Sequence, residues 1–227
     1  AKSIRGVLTM DTGFLRVLLD PGRFFEARMQ DRPSLKIPAL IALAVGLIGA
    51  VSVIPMMDLT MAMLPAEMQG LGVFMTIIFA AIAFAGGFLG WIIYGFVFHL
   101  VSMIFKGQGP LERTMEFTGY GLLPQVFGGI IGTYFSYQLL SGLNVPPMTN
   151  PEQIAEFSEE LVSVLATDPL AQIAGIVTIL FTIWSANIWI FGMKYARNLS
   201  TRDAVLTVGI PVGLYILYLL ITLAGWL

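Results

Sequence analysis

The sequence predicts an all-α protein, a polytopic membrane bundle of five transmembrane helices with short amphipathic helices at the interface. Hydrophobic residues make up 57% of its 227 positions and charged residues only 11%, far below the roughly 25% typical of soluble domains. Long uncharged segments have the length needed to cross a hydrocarbon core of roughly 30 Å. All 12 Lys and Arg residues fall in alternate connections between these segments.

The N-terminal segment, residues 1–36, precedes the first span and is rich in Lys and Arg. Asp20 and Pro21 predict the start of a helix, because Asp caps helices and Pro fits the first helical position, and Pro33 predicts its end. The pattern fits an amphipathic helix in the headgroup plane. The alternative is a helix packed on the protein's own cytoplasmic face. The apolar residues are Phe24, Phe25 and Met29, and the basic ones are Arg23, Arg28 and Arg32.

Five apolar segments define the membrane domain, residues 37–227. The first span is predicted at about residues 37–55 and ends at Pro55. An uncharged stretch of 38 residues (68–105) follows, which is too short for two spans and a turn, so we interpret it as one long span. The five spans are placed at about residues 37–55, 71–105, 116–140, 169–193 and 204–227, the last capped by Asp203 and kinked at Pro211.

The longest connection between spans, residues 142–168, contains an outer amphipathic helix at about residues 151–166. Asn150 and Pro151 form a capped helix start. Four apolar residues fall on one face, opposite four glutamates. We interpret the glutamates as a solvated surface, because they lack the loop spacing of a calcium site. The two sets are Ile154, Phe157, Leu161 and Val164, and Glu152, Glu156, Glu159 and Glu160.

The distribution of basic residues predicts the orientation. Seven precede the first span, two lie between the second and third, and three lie between the fourth and fifth. The other two connections have none. Because Lys and Arg are enriched in cytoplasmic loops, we predict a cytoplasmic N-terminus and an outside C-terminus.

Three short motifs occur in order along the chain. They are Asp20, Pro21, Phe24 and Phe25 ahead of the first span, Gly119, Tyr120 and Pro124 at the third span, and residues 198–204 before the last span. In this order and spacing the sequence resembles the Yip family, the Ypt/Rab-interacting five-pass membrane proteins. The resemblance covers most of the chain and implies the same five-span topology.

The eukaryotic members of that family act in vesicle trafficking at the endoplasmic reticulum and Golgi. They use a long cytosolic N-terminal region and contacts with prenylated GTPases. Here the N-terminal segment has only about 36 residues, so we expect no such docking arm. The chain is more similar to the compact prokaryotic members, whose activity is not established, and the resemblance implies a multi-pass protein of a prokaryotic cell membrane.

His99 is the sharpest candidate for a polar or proton-binding site. A short turn makes the second and third spans neighbours, so we expect His99 to face Glu116 or Tyr120. A protonatable pair inside a bundle would suit a proton- or ion-linked step. The alternative, which we favour, is a histidine that holds two helices in register through a hydrogen bond.

Other polar and small residues in the spans are interpreted as packing features. Gln125, Ser185 and Asn187 are expected to link helices by hydrogen bonds. The stretch 118–132 contains five glycines and a proline, which predicts close packing within the bundle. Three pairs at four-residue spacing are expected to be helix contacts: Gly86/Gly90, Gly128/Gly132 and Gly209/Gly213.

The residue inventory indicates a protein without catalytic activity. The chain has no cysteine and a single histidine, which excludes thiolate and paired-histidine metal sites. Nucleophile-elbow and phosphate-loop motifs are also absent. We therefore expect no catalytic residue, no metal, no cofactor and no nucleic-acid partner.

Our functional prediction is a non-enzymatic scaffold or adaptor of the Yip type that binds lipid or protein partners, in membrane organisation or trafficking. The basic N-terminal segment, with Phe24 and Phe25, would be the contact surface toward anionic lipid at the cytoplasmic face. A homo-oligomer is left open and the protein partner is unidentified. The alternative is a small oligomeric channel or transporter with a polar path along the third span.

Overall fold

The computed structural model describes residues 15–64, 67, 70–143, 145 and 150–224. Within these ranges the chain is helical and contains no β-strand, and residues 15–19 form a helical turn before the first named helix. Parts of the predicted N-terminal segment and the last three residues of the predicted fifth span lie outside the described residues. The helices are α1 (Pro21–Arg28), α2 (Lys36–Ala62), α3 (Gly72–Ile104), α4 (Leu111–Tyr120), α5 (Leu123–Ser141), α6 (Pro151–Thr167), α7 (Pro169–Ala196) and α8 (Thr201–Leu223).

Four of these helices are long and apolar enough to cross a membrane. They are α2, α3, α7 and α8, with 27, 33, 28 and 23 residues. They coincide with the predicted first, second, fourth and fifth spans. The helix α5, which covers most of the predicted third span, has 19 residues and is not one of the four.

The predicted third span is two helices rather than one. The helix α4 ends in a tight turn, where the Gly121 N–H donates to the Phe117 carbonyl and the Leu122 N–H to the Gly119 carbonyl, each at 3.2 Å. Pro124 is the physical reason for the break. It has no N–H to donate to Tyr120 four residues earlier, and its ring clashes with that carbonyl, whereas it fits well in the first turn of a new helix.

The predicted end of the first span at Pro55 is wrong. The helix α2 contains Pro55 and continues to Ala62. A proline removes one backbone hydrogen bond, and neighbouring groups in a packed membrane helix can compensate for it. Pro211, at which the fifth span is predicted to kink, likewise lies inside a helix, α8.

Two of the three predicted helix caps are confirmed. The Asp20 carboxylate accepts from the Arg23 N–H at 3.3 Å, and the Asn150 side chain accepts from the Gln153 N–H at 2.9 Å. The third prediction, Asp203 as a cap, is wrong. The Ser200 hydroxyl caps α8 by accepting from the Asp203 N–H at 3.1 Å, as N-cap serines do, and it donates to the Asp203 carboxylate at 2.7 Å.

The chain divides into two compact units. Unit 1 comprises Ala1–Ala42, Phe88–Gln125 and Phe181–Leu214, and unit 2 comprises Leu43–Gly87, Val126–Leu180 and Tyr215–Leu227. The largest fully buried side chains of unit 1 include Trp189, Phe25, Phe98, Phe117 and Ile188.

Close helix contacts in unit 2 occur between α2 and α3. A Cβ atom added at Gly46 would lie 2.5 Å from the Phe84 carbonyl oxygen, so glycine permits the two backbones to approach. Five of the six glycines in the predicted pairs make no such contact. A Cβ atom added at any of five members would meet nothing within 4 Å: Gly86, Gly90, Gly132, Gly209 and Gly213.

The predicted amphipathic helix at about residues 151–166 is present as α6. Its four glutamates are exposed, and the four apolar residues of the opposite face are half-buried. The helix α7 follows directly, and the Asp168 carboxylate caps it by accepting from the Leu170 N–H at 2.7 Å.

Candidate functional site

Glu116, on α4, is completely buried and is neutralised by two arginines. The Arg28 Nε atom donates to its Oε1 atom at 2.8 Å, and the Arg113 Nη1 atom donates to its Oε2 atom at 2.7 Å. Arg28 belongs to the last turn of α1. A buried carboxylate is tolerated only where it is paired and hydrogen-bonded. Glu116 therefore joins α1 to α4.

The turn after α1 completes an ion cluster, which we define as Arg28, Asp31, Arg113 and Glu116. The Arg28 Nη1 atom donates to the Asp31 carboxylate at 2.7 Å. Arg113 also donates to the Arg28 carbonyl at 3.2 Å and to the Asp31 carbonyl. Burial alone would lower the pKa of Arg28, but its hydrogen bond to Glu116 and the charge of that carboxylate raise it overall.

An aromatic cluster lies beside these ions. Phe25 is fully buried, and its ring centroid lies 4.4 Å from that of Phe117 and 6.4 Å from that of Tyr120. Phe24 packs edge-on against Tyr120 at 5.0 Å. A Cβ atom added at Gly192 would lie 3.3 Å from the Phe117 Cβ atom, so α7 approaches the cluster closely.

Two tryptophans donate hydrogen bonds to backbone carbonyls of α4. The Trp91 indole donates to the Met115 carbonyl and the Trp189 indole donates to the Thr118 carbonyl, each at 2.8 Å. Glycine is required beside them. A Cβ atom at Gly119 would lie 2.5 Å from the Pro38 Cβ atom, and one at Gly121 would lie 2.1 Å from the Trp189 Cδ1 atom.

The sequence profile of the Yip1 domain matches residues 15–223. The chain belongs to the Yip1 domain family. Over 125 residues it is 35% identical to an uncharacterized protein of the archaeon Methanocaldococcus jannaschii, an alignment that covers 55% of this chain and 89% of that protein. No solved structure matches the chain. The resemblance predicted from the sequence, including the similarity to compact prokaryotic members, is thus confirmed.

The structure brings two of the three Yip motifs together. Phe24 and Phe25 of the first motif pack on Tyr120 of the second. Asp20 caps α1, and Pro124 ends the link between α4 and α5. The motif residues of this Yip1 domain therefore join the N-terminal segment to the bundle.

This packing decides between the two interpretations of α1. Since Phe25 is fully buried and Phe24 half-buried, α1 is packed on the protein's own helices. The prediction that both phenylalanines form an exposed contact surface is wrong for that reason. Arg23 remains available, with 87% of its side chain exposed.

Among the described residues, His99 forms no hydrogen bond or ion pair with Glu116 or Tyr120. Its Nδ1 atom lies 3.1 Å from the Thr114 hydroxyl. Thr114 and Glu116 are two residues apart on α4 and so point to different sides of that helix. The expected contact of His99 with Glu116 is therefore wrong, and the observed bond links α3 to α4.

Of the three polar residues predicted to link spans, two form a hydrogen bond with each other and the third does not. The Gln125 amide donates to the Ser185 hydroxyl at 3.1 Å, which joins the start of α5 to α7. Asn187 is exposed and forms none of the hydrogen bonds found among the described residues. Among the residues that the structure describes, no group of three His, Asp or Glu side chains could hold a metal ion.

Arg197 is buried, a position that the sequence does not predict, because there Arg197 is only one of the basic residues in the connection between the fourth and fifth spans. Its Nε atom donates to the Ser102 hydroxyl at 2.8 Å and its Nη2 atom to the Gly107 carbonyl at 2.7 Å. A further bond goes to the Gly109 carbonyl. Burial lowers the pKa of Arg197. The guanidinium ties the end of α3 to the end of α7, where helix C-termini favour a positive charge.

The glycines that follow Lys106 in the sequence are a signal for this arrangement. Gly109 has a φ of 127°, which is open to glycine and unfavourable for other residues. A Cβ atom there would also lie 2.3 Å from the Ala196 carbonyl oxygen. The glycines after Lys106 thus indicate a turn that another segment approaches closely.

Proposed function

We propose that this Yip1 domain protein is a non-enzymatic membrane scaffold whose N-terminal segment contacts anionic lipid at the cytoplasmic face. The observation that carries the proposal is the attachment of α1 to α4 through the buried ion cluster. A segment held in this way loses little conformational freedom when it binds, which favours affinity. The exposed residues of the same segment have the chemistry that a lipid surface binds.

Four basic side chains of this segment are exposed and lie outside the ion cluster: Arg16, Arg23, Arg32 and Lys36. Each basic residue near an anionic bilayer contributes about 1 kcal/mol of attraction. Leu15 and Leu19 are exposed as well, at 56% and 77%. Basic residues beside exposed leucines are typical of segments at the headgroup boundary.

We also propose five spans, with α5 as the third, and a cytoplasmic N-terminus. The 19 residues of α5 would extend roughly 28 Å, close to the roughly 30 Å of a hydrocarbon core. Its exposed residues include Phe127, Ile130 and Ile131, which suit contact with lipid tails. The distribution of Lys and Arg favours an odd number of spans between the N-terminus and the acidic connection that contains α6.

The alternative of a channel along the third span has less support. Every residue from 116 to 124 is buried, and neither of the two described cavities is lined by any of them. Dense packing accounts for the glycines of this stretch without a hydrated path.

The scaffold proposal can be tested with a single fluorescent label, because the chain has no cysteine of its own. Leu19→Cys would carry an environment-sensitive dye, and the protein would be reconstituted in neutral bilayers and in bilayers with about one-third anionic lipid. We expect a blue-shifted emission in the anionic bilayers that is lost in the background of Arg23→Gln and Arg32→Gln. A label at Glu152→Cys on α6 is the matched control and should not respond. Equal emission from the Leu19→Cys label in both bilayers would contradict the proposal.

A further inference from the structure

A groove lies between the end of α2 and the start of α3, within unit 2. Its volume is about 660 Å³. Asp58, Met61 and Ala62 line it from α2, and Gly72, Thr76 and Ile77 line it from α3. The two helices meet beside it, since a Cβ atom added at Gly72 would lie 3.0 Å from the Met61 Cγ atom.

The groove contains one charged side chain among its described lining residues, the carboxylate of Asp58. Asp58 is exposed and belongs to none of the ion pairs found in the described part of the chain. The hydroxyl of Thr76 already donates to the Gly72 carbonyl at 2.8 Å. No Lys or Arg occurs between α2 and α3. The groove therefore favours a positively charged group beside Asp58.

The depth of Asp58 in the membrane follows from the length of α2. Asp58 lies 22 residues after Lys36, which is exposed at the start of the same helix. At 1.5 Å per residue this is roughly 33 Å, about the thickness of the hydrocarbon core. If Lys36 lies at one headgroup layer, Asp58 lies at the opposite one.

Most of the other side chains that line the groove are apolar. Val73 and Ile77 are 75% and 62% exposed and lie one turn apart on α3. A ligand that suits both parts of the groove has a headgroup that ends in a positively charged group and a hydrocarbon tail.

From this charge, depth and apolar surface we infer that the groove binds a membrane lipid with a primary ammonium headgroup. The ammonium group donates hydrogen bonds to the Asp58 carboxylate, which is an acceptor only. The acyl chain lies along Val73 and Ile77. This site is separate from the N-terminal segment, at the opposite end of α2, and does not depend on the scaffold proposal.

The test is native mass spectrometry of the purified full chain with three probes that share the same acyl chains: phosphatidylethanolamine, phosphatidylcholine and phosphatidylglycerol. We expect phosphatidylethanolamine to bind more tightly than the other two. Asp58→Asn should weaken phosphatidylethanolamine binding about two- to fivefold, the range of a partly exposed ion pair, and leave phosphatidylcholine binding unchanged. Glu67→Gln is the matched control, since it removes an acid that lies shortly after α2 and is not among the groove-lining residues.

A second variant tests the apolar part of the groove. Ala62→Phe places a ring in the groove and should reduce binding of phosphatidylethanolamine while Asp58 is intact. Free ethanolamine should not compete at equal concentration, because it lacks the acyl chain. Equal binding of the three lipids, no effect of Asp58→Asn, or competition by free ethanolamine would each overturn the inference.

Discussion

Arg28 and Glu116 are 88 residues apart in the sequence, and the Arg28 Nε and Glu116 Oε1 atoms lie 2.8 Å apart in the structure. Glu116 is fully buried, and Arg113 on its own helix supplies the second positive partner at 2.7 Å. With Arg113 alone, the carboxylate would bind no residue of the N-terminal segment. Because of the contact with Arg28, the position of α1 depends on the Glu116 carboxylate of α4.

Replacement of Glu116 by Gln should destabilise the protein substantially. The change leaves the buried Arg113 without a carboxylate partner and leaves Arg28 with Asp31 alone, and removal of one partner from a buried ion pair costs about 3–5 kcal/mol. Thermal unfolding in detergent, followed by tryptophan fluorescence, measures the effect. Glu112→Gln is the control, because Glu112 lies on the same helix and is exposed. Equal melting temperatures for the two variants would show that the ion cluster contributes little.

Replacement of Gly121 by Ala should also destabilise, for a steric reason. The new Cβ atom would lie 2.1 Å from the Trp189 ring, and insertion of a methyl group into a packed core costs about 1–3 kcal/mol. Gly132→Ala is the matched change in open space. It should be neutral or stabilise α5 by up to about 1 kcal/mol, because Ala favours helices over Gly. The difference in unfolding midpoint between the two variants is the measurement, and a midpoint that falls more for Gly132→Ala would contradict the packing described here.

Arg197→Lys should loosen the turn between α3 and α4 although the charge is kept. A guanidinium donates in several directions at once, and a lysine ammonium on a flexible stem does not reproduce that geometry. Hydrogen exchange should therefore become faster at the backbone amide of Gln108, which donates to the Arg197 carbonyl at 2.8 Å. Arg202→Lys, at an exposed position, serves as the control and should leave that exchange rate unchanged. Unaltered exchange in Arg197→Lys would mean that the charge alone holds the turn.

The sequence predicts those parts of the fold that depend on local composition. Mean hydropathy locates α2, α3, α7 and α8, and the caps at Asp20 and Asn150 follow from residue type. The pairing of Arg28 with Glu116 could not be predicted in this way, because it depends on which faces of α1 and α4 meet. The expected partner of His99 is wrong for the same reason, because spacing along α4 does not determine which side of that helix faces α3.

The glycines also show that spacing in the sequence does not determine which residues are in tertiary contact. Gly86 and Gly90 have the four-residue spacing of a helix contact, yet both face open space. Gly119 and Gly121 lack that spacing, yet a Cβ atom added at either would lie within 2.5 Å of a neighbouring side chain. Spacing identifies a possible small surface on a helix, and only the tertiary packing determines whether another helix covers it.

The side of the membrane on which α6 lies distinguishes five spans from four. If α2, α3 and α5 all cross, α6 lies opposite the N-terminal segment; if α5 does not cross, the two lie on the same side. Single cysteines at Arg32→Cys and Glu156→Cys report each side, since both positions are exposed and the chain has no other cysteine. A membrane-impermeant maleimide applied to intact cells should label Glu156→Cys alone, and Arg32→Cys only after permeabilisation. Labelling of both positions or of neither in intact cells would place them on one side and exclude α5 as a span, because an odd number of crossings cannot return the chain to its starting side.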